Sequence, residues 1–158
     1  MINVSYLCNR ILNLDKMNKK CILILVLLML VTLGSYAQDR PDSTFIGKIY
    51  NDELKVYIVM NLVDKNVTVP QQDIFGKVDG YMGCTGTEHV WTIVTSEVKG
   101  HTAHIEMINN YGSEDVSATL TYEKDGSYTY KHLSGSTLKF PLGQKWHKIP
   151  SKVVFKRK

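Results

Sequence analysis

The stretch HTAHIEMINNYGSEDVSATLTYE, His101 to Glu123, decides the fold. In its first half Ala103, Ile105 and Met107 stand two apart, and in its second half Val116, Ala118, Leu120 and Tyr122 do the same. The opposite parity of the second run is Asp115, Ser117, Thr119, Thr121 and Glu123, a wet face. A period of two is that of a half-buried strand, because successive side chains point to opposite faces. Asn109-Asn110-Tyr111-Gly112 between the halves is a turn signal, so the stretch reads as two strands of an antiparallel hairpin.

The same pattern recurs outward from this hairpin. Leu54, Val56, Ile58, Met60 and Leu62 alternate in LKVYIVMNLVD, but Tyr57, Val59 and Val63 keep the other parity from being fully polar. Asn51-Asp52-Glu53 separates this run from Thr44 to Tyr50 as a turn. Further strands are expected over 66–69, 74–82, 88–98, 127–133, 137–140 and 152–156, with turn signals at Lys99-Gly100, Lys124-Asp125-Gly126 and Ser134-Gly135-Ser136. Pro150, which cannot donate to a ladder, should mark the start of the last strand. No segment after residue 37 sustains a 3.6-residue apolar period, and no fixed-period repeat is present. The expectation is an all-β domain, an antiparallel meander of about eight to ten strands. Such a meander must dispose of its edges; closure into a barrel is favoured by the closely spaced hairpins, with a β-sandwich as the alternative.

The 158 residues are 44% apolar and 22% charged, with a mean hydropathy of -0.13, which excludes a disordered chain and a multi-pass membrane protein. Cys21 to Leu33 reads CILILVLLMLVTL, thirteen residues without a charge. Met17-Asn18-Lys19-Lys20 precedes it, and Ser35 and Ala37 follow as small residues at a cleavage-like site. These are the three regions of a secretory signal peptide, and the apolar run is shorter than the roughly 20 residues a spanning helix needs. Residues 1–37 are therefore read as a signal peptide cut after Ala37. Met1 to Lys16 is either an upstream extension before a start at Met17 or a long leading region. What remains, 38–158, is one β domain without a transmembrane segment, exported to the periplasm or beyond.

Residues 38–158 carry 15 Lys plus Arg against 14 Asp plus Glu, so the basic balance comes largely from the leader. A nucleic-acid partner loses its main support, since counterion release needs a broad basic surface. Seven bases and no acid lie in 139–158, an asymmetry read first as internal charge pairing. Cys84 is the one cysteine after the leader and cannot form an internal disulfide; it reads as a small buried hydrophobe, a reactive thiol being the alternative.

The order of short strands, the early Phe45-Ile46-Gly47-Lys48-Ile49 and a chain of this length behind a leader resemble small exported calycin or lipocalin-like barrels. Gly47-Lys48-Ile49 stands where such barrels commonly carry Gly-x-Trp. The leader, ending Tyr36-Ala37-Gln38, resembles those of Bacteroidetes exported proteins, and Asp42-Ser43-Thr44 is similar to their O-glycosylation motif. The resemblance implies a bacterial periplasmic or surface setting, in which the Asn66-Val67-Thr68 sequon carries no weight.

Enzyme chemistry finds little to stand on. His101 and His104 are three apart and so point to opposite faces of a strand; His104 and Glu106 share a face, but zinc needs three or four ligands. Cys84 near His89 lacks any nucleophile signature, Gly83-Cys84-Thr85-Gly86-Thr87 lacks phosphate-loop spacing and reads as a turn, and Glu114-Asp115 reads as a solvated loop. No catalytic residue, metal or cofactor is assigned. The aromatics carry more: Trp91, Tyr122, Tyr128 and Tyr130 recur on expected strands, where rings at a barrel mouth bind a small apolar or glycan ligand or simply fill the core. Tyr128, Tyr130 and His132 share one parity and form the sharpest constellation. The expected function is a non-enzymatic binding protein for such a ligand. The alternative is a protein-interaction or inhibitor module acting through loops 83–88 and 109–115.

Overall fold

A computed structural model describes residues 43–158 except Asp73 and Ile74. The signal-peptide reading of residues 1–37 lies outside the described residues, as does Ile74 at the head of one expected strand.

The strands are β1 (Ile46–Asn51), β2 (Val56–Asn61), β3 (Val67–Thr68), β4 (Lys77–Val78), β5 (Gly80–Cys84), β6 (Val90–Lys99), β7 (Thr102–Asn109), β8 (Asp115–Tyr122), β9 (Tyr128–Gly135), β10 (Lys139–Leu142), β11 (Lys145–Lys148) and β12 (Lys152–Phe155). Eight of them form one antiparallel meander in the order β1-β2-β5-β6-β7-β8-β9-β12. Tyr50 and Lys156 exchange backbone hydrogen bonds of 2.8 Å each way, and Asn51 Nδ2 donates to the Val154 carbonyl at 2.9 Å. These contacts bring the two edges together, so the domain is a nearly closed eight-stranded β-barrel rather than two stacked sheets. β3–β4 and β10–β11 are small hairpins outside the main sheet.

Alternation places the core as expected. Val56, Ile58 and Met60, Ala103, Ile105 and Met107, and Val116, Ala118 and Leu120 all turn inward and are at most 1% exposed. Two bulges, between Ile93 and Thr95 and opposite Ser117 and Ala118, shift register on β6 and β9. The first flips the inward set of β6 from Trp91 and Ile93 to Ser96.

The second parity of β2 has its own explanation. Tyr57 and Val59 pack outside the barrel against Val69, Val78, Tyr81 and Val90, under the β3–β4 excursion. β5 is therefore buried on both faces along its whole length. Glycine permits this approach: a Cβ at Gly83 would stand 2.5 Å from the Tyr57 ring. The same layering divides the expected 74–82 strand at Asp79, because β4 pairs with β3 while β5 joins the barrel. Asp79 itself is buried, accepts from Ser96 Oγ and lies 2.9 Å from Lys65 Nζ.

Four local expectations are corrected. Gly83 and Cys84 belong to β5, so the expected turn begins only at Thr85. The expected strand over Thr44 to Tyr50 begins only at Ile46, because Ser43–Phe45 is a 3-10 turn and Phe45 plugs the barrel end. β11 lies where no strand was expected, since Lys145–Lys148 on an outer hairpin has no apolar alternation to betray it. The last strand starts at Lys152, two residues beyond Pro150.

Candidate functional site

The two ends of the barrel are finished differently. At one end Phe45 is fully buried and meets Tyr128 edge to face at 6.3 Å. The Tyr128 hydroxyl donates to the Thr44 carbonyl at 2.6 Å and accepts from Arg157 Nε at 3.0 Å. Arg157 Nη2 also donates to the carbonyls of Thr44 and Ile46, both at 2.7 Å. The segment entering β1 and the residues after β12 are thus tied across one rim.

The opposite end is covered by the β10–β11 hairpin. Leu138, Phe140 and Ile149 are buried there, and Trp91 Nε1 donates to the Lys139 carbonyl at 3.1 Å. Lys139 Nζ meets Glu114 Oε1 at 2.8 Å, and that contact holds the Glu114 carboxyl below its usual range. Between the hairpin base and the β9–β12 wall lies a pocket of about 170 Å³. Leu138, Ile149 and Pro150 supply its apolar lining; His132, Thr137 and Ser151 supply polar groups, and Tyr130 completes it. Tyr130 is fully buried, yet its hydroxyl has no hydrogen-bond partner among the described residues. Burial pushes this hydroxyl well above the ordinary phenol range, so it stays protonated and can donate.

The five aromatic and histidine residues singled out from the sequence therefore separate. Tyr130 and His132 meet at the pocket. Tyr128 anchors the sealed end, with Tyr122 half-buried beside it at 5.0 Å between ring centroids. Trp91 is core, and its indole fastens the hairpin.

On the other side of the hairpin a second concavity opens, which the aromatic pattern on strands did not disclose. Two hollows of about 360 and 480 Å³ share Gln71, Gln72, Asn110 and Tyr111. Tyr111 is 80% exposed and Trp146 55%. Both rings approach the buried His89, at 6.2 and 5.8 Å between centroids. Desolvation lowers the His89 imidazole below its ordinary value of 6.5, against a smaller upward pull from Glu114. The loop 109–113 is shaped by Asn109, whose Oδ1 accepts from the backbone N–H of Tyr111 and Ser113.

Cys84 is buried, and burial raises its thiol above the usual range, which disfavours the reactive thiolate. Among the described residues, no three His, Cys, Asp or Glu side chains converge as a metal site. Of the seven C-terminal bases, Lys139 pairs with Glu114 and Lys158 with Asp52. Comparisons with family models, curated proteins and solved structures found no match.

Proposed function

We propose that the domain is an exported, non-enzymatic binding protein of lipocalin-like type that holds a small ligand beneath the β10–β11 hairpin. The observation that carries this reading is the Tyr130 hydroxyl, buried and without a hydrogen-bond partner among the described residues, in a side chain that lines a pocket of about 170 Å³. A buried polar group left unpaired is costly, and a ligand that pairs with it recovers that cost on binding. The volume sets the ligand class. A cavity of about 150 Å³ admits benzene, so this one suits roughly six to ten non-hydrogen atoms. The mixed lining selects an apolar body with one hydrogen-bonding group, such as a phenol or a short-chain alcohol. A lipid chain is disfavoured, because the rest of the barrel interior is filled by side chains such as Trp91, Ile105 and Met82.

Titration of the protein with such small molecules, followed by NMR, tests the reading. Binding should perturb Tyr130 and His132, and Tyr130→Phe should weaken it by roughly 2- to 12-fold, the worth of one net hydrogen bond. Absence of binding at millimolar concentrations, or binding indifferent to both Tyr130→Phe and His132→Ala, would overturn it.

A further inference from the structure

We infer that the outer face of β9 and β12 is a docking surface for an anionic lipid bilayer. It makes no use of the Tyr130 pocket and stands or falls separately from it.

The first argument is unpaired charge. Of the seven bases in 139–158, Lys139 and Lys158 are engaged by Glu114 and Asp52, and Arg157 directs its guanidinium to backbone carbonyls and the Tyr128 hydroxyl. Lys152 and Lys156 are exposed, share the outward parity of β12 and form no ion pair among the described residues. Lys131 joins them from β9, exposed, likewise without an ion pair and directly opposite Lys152. Like charges facing each other across a strand pair are destabilising, and an anion laid over both relieves the repulsion. Edge protection does not account for Lys131, because β9 is paired on both sides, with β8 and β12.

The second argument is what surrounds the lysines. Ser117, Thr119 and Thr121 on β8 and Thr129 on β9 occupy the neighbouring outward positions, and none carries a charge. Across the sheet from Lys131 the paired residues are Thr119, then His104, then Glu97. Glu97 is three strand spacings away, about 14 Å, which exceeds the Debye length of about 8 Å at 0.15 M salt. It is also engaged by Lys99 at 2.9 Å. Asp125 senses the far end of the face: hydrogen bonds from Ser127 chiefly hold its carboxyl below the usual range, with a small pull from Lys156. The Lys131–Lys152 pair has no such neighbour among the outward positions named.

The third argument selects the partner. Leu133 and Val154 are 46% and 43% exposed and lie two residues beyond Lys131 and Lys152 on the same two strands. Leu133 is the extra residue where the β8–β9 register shifts, so the bulge leaves it in solvent. Arginine, with its planar fork, is the residue enriched at protein interfaces and in nucleic-acid recognition, whereas lysine is a hydrated point charge on a flexible stem. Lysines interleaved with exposed aliphatic side chains suit a layer of phosphate headgroups over acyl chains. The ammonium groups stay among the phosphates while Leu133 and Val154 enter the boundary beneath.

The test is cosedimentation of residues 38–158, which contain the whole barrel, with vesicles of phosphatidylcholine alone or with one third phosphatidylglycerol. Omitting the leader prevents the apolar run 21–33 from acting as the anchor. Binding to the anionic vesicles is expected at low salt, falling steeply in high salt, with none to phosphatidylcholine alone. A lysine near an anionic surface is worth roughly fivefold in affinity, so Lys131→Gln, Lys152→Gln and Lys156→Gln together should weaken binding on the order of a hundredfold. The double variant Lys131→Gln/Lys152→Gln should melt no lower than the parent, because it removes a like-charge pair, which separates lost binding from lost folding. Lys55→Gln/Lys77→Gln, at the start of β2 and on β4, removes as many charges elsewhere and should change binding little. Leu133→Ser/Val154→Ser should weaken the binding that survives added salt. Tyr130→Phe should leave vesicle binding intact, which separates failure here from failure of the small-ligand reading. The inference is overturned by no binding to anionic vesicles at low salt, by equal binding to both vesicle types, or by binding indifferent to the triple variant. Capture of an acidic protein or of DNA through these lysines, with no vesicle bound, would also overturn it.

Discussion

Tyr128 and Tyr130 stand two residues apart on β9, face the same interior and are both fully buried, yet they meet opposite fates. Tyr128 has a hydroxyl with two partners, one from each chain terminus of the domain. Tyr130 has a hydroxyl with none among the described residues. Strand, parity and residue type are identical, so the difference comes from what covers each end of the barrel. The 3-10 turn and Arg157 bring backbone carbonyls and a guanidinium to one rim. The β10–β11 hairpin brings mainly Leu138, Phe140 and Ile149 to the other. One end is closed by polar ties between distant segments, whereas the end capped by a separate hairpin retains concavities.

The most drastic way to break this contrast is to remove the seal. Deleting residues 152–158 takes away β12, its pairing with β9, the Tyr50–Lys156 closure and Arg157 together. The truncated protein should lose its cooperative thermal transition or aggregate through the freed edge of β9, as judged by circular dichroism and size-exclusion chromatography. A monomer with an unchanged melting temperature would show that the sealed end does not support the barrel.

The same substitution at the two tyrosines sharpens the contrast. Tyr128→Phe strips a partner from the Thr44 carbonyl and from Arg157, and should cost about 1–3 kcal/mol. Tyr130→Phe removes an unpaired buried hydroxyl, and should range from neutral to about 1 kcal/mol stabilising in ligand-free protein. Urea unfolding of both variants measures the two signs, and equal losses would erase the distinction between the ends.

Smaller effects belong to the capped end. His89 titrates below its ordinary 6.5 chiefly because it is buried. Between the depressed folded value and 6.5 the unfolded chain therefore binds a proton that the folded chain does not. Stability should fall as pH drops through 6.5 and level off below the folded value, and His89→Gln should flatten that part of a melting-temperature profile. The smallest change expected is for Lys139→Met, which breaks a partly exposed ion pair with Glu114. A loss of at most about 1 kcal/mol, diminishing with added salt, is expected in chemical denaturation.

Residues 101–123 show what the chain states openly. Alternation dictated which side chains enter the core, because a strand pleat sends neighbours to opposite faces wherever the backbone pairs regularly. That local rule sufficed for the all-β class, the meander, the inward sets of β2, β7 and β8, and the grouping of Tyr130 with His132. It could not reach what depends on encounters between distant segments. Tyr57 and Val59 looked like an unexplained second apolar face until the β3–β4 excursion folded over them. Lys145–Lys148 carried no apolar alternation, because none of its four residues is buried, so β11 and its pairing with β10 were not legible. Trp91 could bind a ligand or fill the core by its parity alone, and the fold places it fully in the core, with its N–H on the Lys139 carbonyl 48 residues later. Gln71, His89, Tyr111 and Trp146 carry no shared spacing at all. Only tertiary structure assembles them, because side chains on separate loops meet through closure of the barrel, and sequence periodicity records the geometry of one strand at a time.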